Sequence, residues 1–168
     1  HLHLLEPLTT YSDLSGDDLV RDRLIELIFV QSNAVLRKDV GACTDKYARD
    51  WTPLLEPEYA RVSYGHDIEN VWLLLEACRA AGLPNGPLTD LYRQLADYAL
   101  RYGFDRQRGG FYDAGNFSQP ADAKNKVWWV QAEGLVAMLY MYRHTGEAKY
   151  WDAFAATYDW IEGHQVDW

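Results

Sequence analysis

The sequence predicts an all-α fold of about three helical hairpins, which together make roughly half of a closed ring of helices. One supporting observation is a repeat of helix, connector, helix and long loop, in which Glu6, Glu69 and Glu133 recur at intervals of 63 and 64 residues. Another is that glycines suited to ending a helix follow the apolar runs, at Gly82, Gly103 and Gly146. Finally, a chain of 168 residues with 48% apolar and 24% charged residues suits one globular domain over residues 1–168.

The first hairpin is predicted from the start of the sequence. Residues 1–11 are expected to be helical because leucines recur there at helical spacing, and the polar residues 13–18 form a connector. The second helix covers residues 19–29 and can extend to residue 36. The aromatic and proline-containing stretch at residues 41–55 predicts an extended hairpin or an irregular loop.

The second hairpin has clear stop and start signals. Its first helix is expected to open at Gly65 and to run to Ala81, where a glycine and then Pro84 end it. Pro87 suits the first turn of the next helix, which is predicted over residues 88–102.

The third hairpin is predicted from two long apolar segments. A strongly apolar helix is expected over residues 126–144 and its partner over residues 147–163. A short extended segment at residues 109–113 precedes them. Any strand should be short, antiparallel and confined to about residues 41–64 and 104–125.

The start of the second hairpin carries a candidate acid/base pair. Gly65 is expected at the helix cap, with Asp67 and Glu69 in the first turn, where negative charge meets the positive end of the helix dipole. His66 and Glu69 are three residues apart, so they share one helix face. A titratable imidazole beside a carboxylate suits proton transfer, whereas a histidine that only caps or packs is the alternative.

Equivalent positions in the repeat carry similar side chains. His3 and His66 each lie three residues before the glutamate of their repeat, and Trp128 and Trp129 occupy the same turn of the third repeat. If the more apolar helices line the inside of a ring, their N-terminal ends meet at one mouth. We therefore expect His3, His66 and Trp128 or Trp129 to converge there. The seven Trp and twelve Tyr residues suit a cleft that stacks on sugar rings.

Composition argues against several classes of partner. The net charge of −9 and the lack of a basic stripe argue against nucleic acid, and no apolar run reaches the roughly 20 residues of a membrane span. The first residues do not resemble a signal peptide. Cys43 and Cys78 are far apart and outside any CxxC motif, so we expect free thiols and a cytoplasmic, reducing location, with one disulfide as the alternative.

Three segments, taken in order, resemble motifs of the N-acylglucosamine 2-epimerase superfamily, and in particular its cellobiose 2-epimerase branch. The resemblance covers essentially the whole chain and implies an (α/α)6 barrel, here in part. It also implies epimerisation at C2 of a reducing-end sugar through an enediolate, with a small-molecule sugar as partner and with no metal or other cofactor. The segments are His1-Leu2-His3-Leu4-Leu5-Glu6, Gly65-His66-Asp67-Ile68-Glu69 and Trp128-Trp129-Val130-Gln131-Ala132-Glu133.

The resemblance also implies roles for single residues. His66 matches one of two catalytic histidines, His3 matches a further active-site histidine, and Glu69 matches a carboxylate that supports His66. The residues expected to bind the sugar are Trp128, Trp129 and Glu133.

The chain departs from the family pattern in two respects. It lacks the Pro-Tyr-His-Asn-like motif that carries the family's other catalytic histidine, and it lacks the early barrel helices with their substrate arginine. His144 and His164 lie at the ends of outer helices and are expected on the surface. We therefore expect a fragment of the barrel that has negligible epimerase activity by itself.

Other functions remain compatible with the sequence. An aldose–ketose isomerase of the same superfamily would use the same enediol but return the proton to C1. A glycoside hydrolase on a similar barrel would use two carboxylates, such as Glu69 and Glu133. A non-catalytic sugar-binding module would bind a sugar without turning it over.

Overall fold

The computed structural model describes residues 2–167 and confirms the all-α fold. Six α-helices form three successive antiparallel hairpins. His1, the first residue of the first motif, lies outside the described residues. The helices are α1 (Leu5–Ser15), α2 (Asp18–Phe29), α3 (Tyr64–Ala81), α4 (Thr89–Tyr102), α5 (Trp128–Thr145) and α6 (Ala148–His164).

The helices form two layers. The first helices of the hairpins, α1, α3 and α5, lie side by side as an inner layer. In the outer layer, α2 packs on α1 and α3, α4 packs on α3 and α5, and α6 packs on α5. The middle helix α3 is the most enclosed element, and Ile68, Val71 and Leu74 on it are fully buried.

The predicted helix exits are confirmed, although for different reasons. Gly82 follows α3 and Gly146 follows α5, with φ angles of 69° and 73°. Residues other than glycine rarely adopt such positive angles. Gly103 after α4 has φ −110°. It is required for space instead, because a Cβ atom there would lie 2.4 Å from Cγ of Tyr64.

The start of α3 corrects the expected role of Gly65. Ser63 is the cap residue, and its hydroxyl accepts a hydrogen bond from the backbone N–H of His66. Gly65 lies within the first turn, where a Cβ atom would approach Cζ3 of Trp129 to 2.5 Å. The glycine therefore permits α3 and α5 to approach each other. Glu69 consequently falls in the second turn rather than the first.

Other helix boundaries shift by a few residues. The connector between α1 and α2 is only Gly16 and Asp17, and Asp17 caps α2 by accepting hydrogen bonds from two backbone N–H groups. The second helix continues as a π-helical segment at Val30–Val35, in agreement with the predicted extension. The first helix is preceded by a 3-10 turn at Leu2–Leu4, and α5 begins at Trp128.

Four short strands form two antiparallel pairs at the loops. Strand β1 (Leu36–Arg37) pairs with β2 (Ala42–Cys43). It precedes the predicted strand range because the chain turns back through Gly41, whose φ is 86°. Strand β3 (Arg61–Ser63) pairs with β4 (Ala114–Asn116), and so joins the loop before α3 to the loop before α5.

Cys43 and Cys78 are buried free thiols. Within residues 2–167, no helix combines the length and the apolar composition needed to cross a membrane. His164 is exposed in the outer layer. His144, which was expected on the surface, is half-buried instead, because it packs against α4: its ring contacts that of Tyr92, and its Nε2 lies 2.9 Å from the hydroxyl oxygen of Thr89.

Candidate active site

The N-terminal ends of the inner helices bring together side chains from all three motifs. His3 lies in the 3-10 turn before α1, His66 in the first turn of α3, and Trp129 at the second position of α5. The His3 and His66 rings lie 6.1 Å apart between centroids in an edge-to-face arrangement, and those of His66 and Trp129 lie 5.0 Å apart. Trp128 is 72% exposed, so Trp129 is the tryptophan that packs into this cluster.

The sequence paired Glu69 with His66, whereas its close contact in the structure is with His3. Its Oε1 lies 3.4 Å from Nδ1 of His3, and Oε2 of Glu6 lies at the same distance from that nitrogen. The two glutamates therefore hold His3 between them. Glu69 is buried, and within residues 2–167 its Oε2 has no hydrogen-bond partner.

Glu133 completes a group of three carboxyl groups from equivalent repeat positions. The indole N–H of Trp72 donates a hydrogen bond of 2.6 Å to its Oε2. Burial and the nearby negative charge of Glu133 raise the pKa of Glu69 to about 7. Burial also raises the pKa of Glu133, while the hydrogen bond from Trp72 opposes this shift.

The environment of His66 favours its neutral form. Burial lowers the pKa of the imidazole and the neighbouring His3 lowers it further, against the opposing charges of Asp45 and Asp113. A neutral imidazole has a free lone pair at one nitrogen, as a proton acceptor requires. The ring is also held by its contact with Trp129, so its orientation is restricted.

A buried hydrogen bond joins the first turn of α3 to β2, and the sequence did not predict it. Oδ1 of Asp67 accepts a hydrogen bond of 3.1 Å from the backbone N–H of Cys43, which attaches β2 to α3. Burial raises the pKa of Asp67 well above its usual range, and it does the same for the Cys43 thiol. Asn70 is a second buried polar residue near the site that the sequence did not single out. It lies one turn after His66 on the same face of α3, and this spacing could have indicated its position.

The glutamine of the third motif has a structural position. Gln131 is fully buried, its Nε2 donates to the carbonyl of Phe111, and its Oε1 accepts from the N–H of the same residue, both at 2.7 Å. These bonds fix the loop before β4 against α5.

A cavity of about 220 Å³ opens beside the two histidines. Its wall combines the 3-10 turn, the π-helical segment, the loop after β2 and the start of α3. The polar residues that line it include His3, Gln31, Thr44, Asp45, His66 and Asn70. Two imidazoles and a carboxylate can also bind a cation. Here, however, Nδ1 of His3 faces the carboxylates of Glu6 and Glu69, an arrangement that suits proton transfer.

The sequence is similar to proteins of known activity. The family model for N-acylglucosamine 2-epimerase (GlcNAc 2-epimerase) matches residues 1–168. The chain is 30% identical over 169 residues to a cellobiose 2-epimerase of Bacteroides fragilis, covering 99% of this chain and 42% of the relative. It is 25% identical over 187 residues to a D-mannose isomerase of Pseudomonas cannabina pv. alisalensis, covering 99% and 44%.

A solved structure establishes the fold type. The cellobiose 2-epimerase of Bacillus thermoamylovorans B4167 superposes with a TM-score of 0.90 at 24% identity, covering 99% of this chain and 41% of that protein. The three hairpins therefore correspond to about half of an (α/α)6 barrel. The chain spans about two fifths of the length of the curated relatives that it matches.

Proposed function

Because the chain belongs to the N-acylglucosamine 2-epimerase family, we propose that it carries part of the active site of a carbohydrate 2-epimerase of the cellobiose 2-epimerase type. The observation that carries this proposal is the convergence of His3, His66 and Trp129 at one end of the inner helices. We propose a reducing-end mono- or disaccharide as its substrate, because the named relatives are cellobiose epimerases and a mannose isomerase.

The proposed reaction inverts C2 by removing a proton from one face and delivering a proton to the other. A base removes the C2 proton of the open-chain aldose, and the electron pair of the C–H bond moves into a C1–C2 double bond while the carbonyl oxygen gains the negative charge. An acid on the opposite face then protonates C2, the double bond returns to the carbonyl group, and the epimer forms. Burial favours the neutral form of His66, which supports a role for this imidazole as the acceptor of one of these protons.

The groups around His66 supply the other requirements of this reaction. His3, held between Glu6 and Glu69, can donate a hydrogen bond or a proton to the developing enediolate oxygen. The face of Trp129 offers an apolar platform for the C–H side of the sugar. We propose that Glu69 positions His3 and that Glu133, held by Trp72, lies at the border of the sugar site.

Within the chain itself, only His66 matches a catalytic histidine of the family. We propose that the acid/base group for the other face of C2 comes from a part of the family fold beyond these 168 residues. On this basis the chain alone should have negligible epimerase activity. His66 can still exchange the C2 proton with solvent on one face, without inverting C2.

Proton exchange in deuterated water tests this proposal. The chain is incubated with cellobiose or mannose, and the products are analysed by NMR for the epimer and for deuterium at C2. Slow deuterium uptake that is lost in His66→Ala and kept in His164→Ala is the expected result, because His164 is exposed on the outer layer. Robust epimer formation would show a second acid/base group within these residues, with His3 as the first candidate.

An aldose–ketose isomerase is the second candidate, favoured by the similarity to the D-mannose isomerase. The same enediolate would then be protonated at C1. The products separate the two reactions, because the isomerase converts mannose to the ketose and the epimerase converts it to the C2 epimer.

A further inference from the structure

One wall of the cavity beside His66 carries a buried amide group. Asn70 lies one turn after His66 on α3 and is only 2% exposed. Its Nδ2 donates to Sγ of Cys43 at 3.6 Å. Its Oδ1 is buried, and among residues 2–167 it has no hydrogen-bond partner. Asn70 lines the cavity of about 220 Å³ together with His66.

An amide oxygen of this kind calls for a donor. Buried carbonyl groups in folded proteins are nearly always hydrogen-bonded, because leaving one unpaired costs much of its hydration energy. A donor from a ligand in the cavity would supply the bond that the described chain does not. The free acceptor therefore points to a ligand rather than to a packing role.

The other lining groups narrow the chemistry of that ligand. The carboxylate of Asp45 lines the same cavity, and none of the described lining residues is a lysine or an arginine. A wall that presents oxygen acceptors and neither lysine nor arginine disfavours phosphate or carboxylate groups. It suits neutral donors, of which the hydroxyl group is the one that sugars carry in number.

The amide is also held in place. Asp67 accepts a hydrogen bond from the backbone N–H of Cys43, and the Cys43 sulfur in turn accepts a hydrogen bond from the side-chain amide of Asn70. These two contacts attach the β2 loop to α3 and fix the amino half of the Asn70 side chain. The carbonyl half of the side chain is thereby held in one orientation, so less conformational freedom is lost when a donor binds.

We propose that Asn70 is a specificity-determining residue of the sugar site, whose Oδ1 accepts a hydrogen bond from one hydroxyl group of the substrate next to the reacting end. The inference rests on the proposed function, since the ligand is the same sugar that His66 acts on. The recognised hydroxyl group of the substrate would then lie in the cavity between His66 and the loop after β2.

Binding measurements on matched variants test the role of Asn70. Dissociation constants for mannose and for each monodeoxy mannose from C3 to C6 are measured by NMR titration with the unsubstituted chain, Asn70→Leu and Asn33→Leu. Leucine is close to asparagine in size but lacks the amide. Asn33→Leu makes the same change at an exposed position of the π-helical segment, and Asn33 is not among the described residues that line the cavity. The side-chain amide signal of Asn70 reports contact directly.

Asn70→Leu should bind mannose about fivefold to tenfold more weakly, which is typical of one lost neutral hydrogen bond. That loss should disappear for the one deoxy sugar that lacks the recognised hydroxyl, while Asn33→Leu should retain the affinity of the unsubstituted chain. Equal affinity of Asn70→Leu, a loss of the same size for every deoxy sugar, or the same loss in Asn33→Leu would overturn the inference. If the unsubstituted chain binds no sugar, the proposed function fails and the inference with it. Sugar binding without an Asn70 effect leaves the proposed function intact.

Discussion

Trp128 and Trp129 are adjacent in sequence but differ in their environments. Trp129 is half-buried and packs on the His66 ring, whereas 72% of Trp128 is exposed. The sequence suggested that one or both would line the mouth. It could not distinguish them, because neighbouring helical positions point about 100° apart and the rotation of α5 depends on its packing against α3.

A pair of substitutions tests this difference. Trp129→Ala should weaken sugar binding by about tenfold, because it removes both an apolar platform and the contact that orients His66. Trp128→Ala should leave the affinity unchanged. Titration of both variants with cellobiose, followed by NMR, measures the effect. Equal losses in the two variants would contradict the assignment of Trp129 to the site.

Glu69 gives a pH-dependent prediction. Its pKa is raised from 4.5 to about 7 in the folded protein, so the folded state holds this proton more tightly than the unfolded state. The stabilisation linked to the proton is present below about pH 4.5 and is lost as the pH rises through about 7. Glu69→Gln removes this ionisation. The unsubstituted chain should therefore lose up to about 3 kcal/mol of unfolding free energy between pH 5 and pH 8 that Glu69→Gln does not lose.

Urea unfolding at pH 5 and pH 8 measures this change. Glu6→Gln is the matched control, because half of its side chain is exposed although it contacts the same His3 nitrogen. A pH dependence that is the same in the unsubstituted chain and in Glu69→Gln would show that the carboxyl group of Glu69 is not the one destabilised by burial.

At the scale of the helices, sequence patterns predicted the helix ends that depend only on local backbone conformation. Gly82 and Gly146 were predicted as helix exits because a left-handed residue after a helix is a local requirement. The role of Gly65 was predicted incorrectly because its cause is not local. The residue lies inside the first turn and gives space to Trp129, which comes from a helix more than sixty positions further along the chain.

Substitution of Gly65 therefore has the opposite effect from substitution of a free helical glycine. Gly65→Ala should destabilise the fold by about 1–3 kcal/mol, because the new methyl group would meet Trp129 and Val130 at less than 3 Å. Gly163→Ala in α6 should stabilise it by about 0.5–1 kcal/mol, since nothing lies within 4 Å of the added carbon. Thermal unfolding of both variants decides between these signs, and stabilisation by Gly65→Ala would contradict the close approach of α3 to α5.

For the whole molecule, the repeat was the most informative feature of the sequence. Equivalent positions on parallel inner helices must lie at the same end of the array, and this geometry brings His3, His66 and Trp129 together. The partner of Glu69 did not follow from the repeat. Spacing along α3 favoured His66, whereas the packing of α1 beside α3 puts His3 within 3.4 Å of the carboxylate.

The completeness of the active site is also a property of the whole molecule. The chain matches about two fifths of the length of its curated relatives, and under the proposed function it supplies the acid/base group for only one of the two faces of C2. A chimera in which these 168 residues replace the matching segment of the Bacteroides fragilis cellobiose 2-epimerase restores the remainder of the family fold around them. We expect this chimera to convert cellobiose to its C2 epimer, whereas the chain alone should not.

Substitutions within the chimera then locate the chemistry. His66→Ala should lower turnover by about 10² to 10⁴-fold, the usual contribution of a general acid or base, with little change in the melting temperature. His164→Ala should leave turnover unchanged, because that side chain is exposed at the end of the outer helix α6. An active chimera that tolerates His66→Ala would remove His66 from the mechanism and would direct attention to His3, whose imidazole is already held between Glu6 and Glu69.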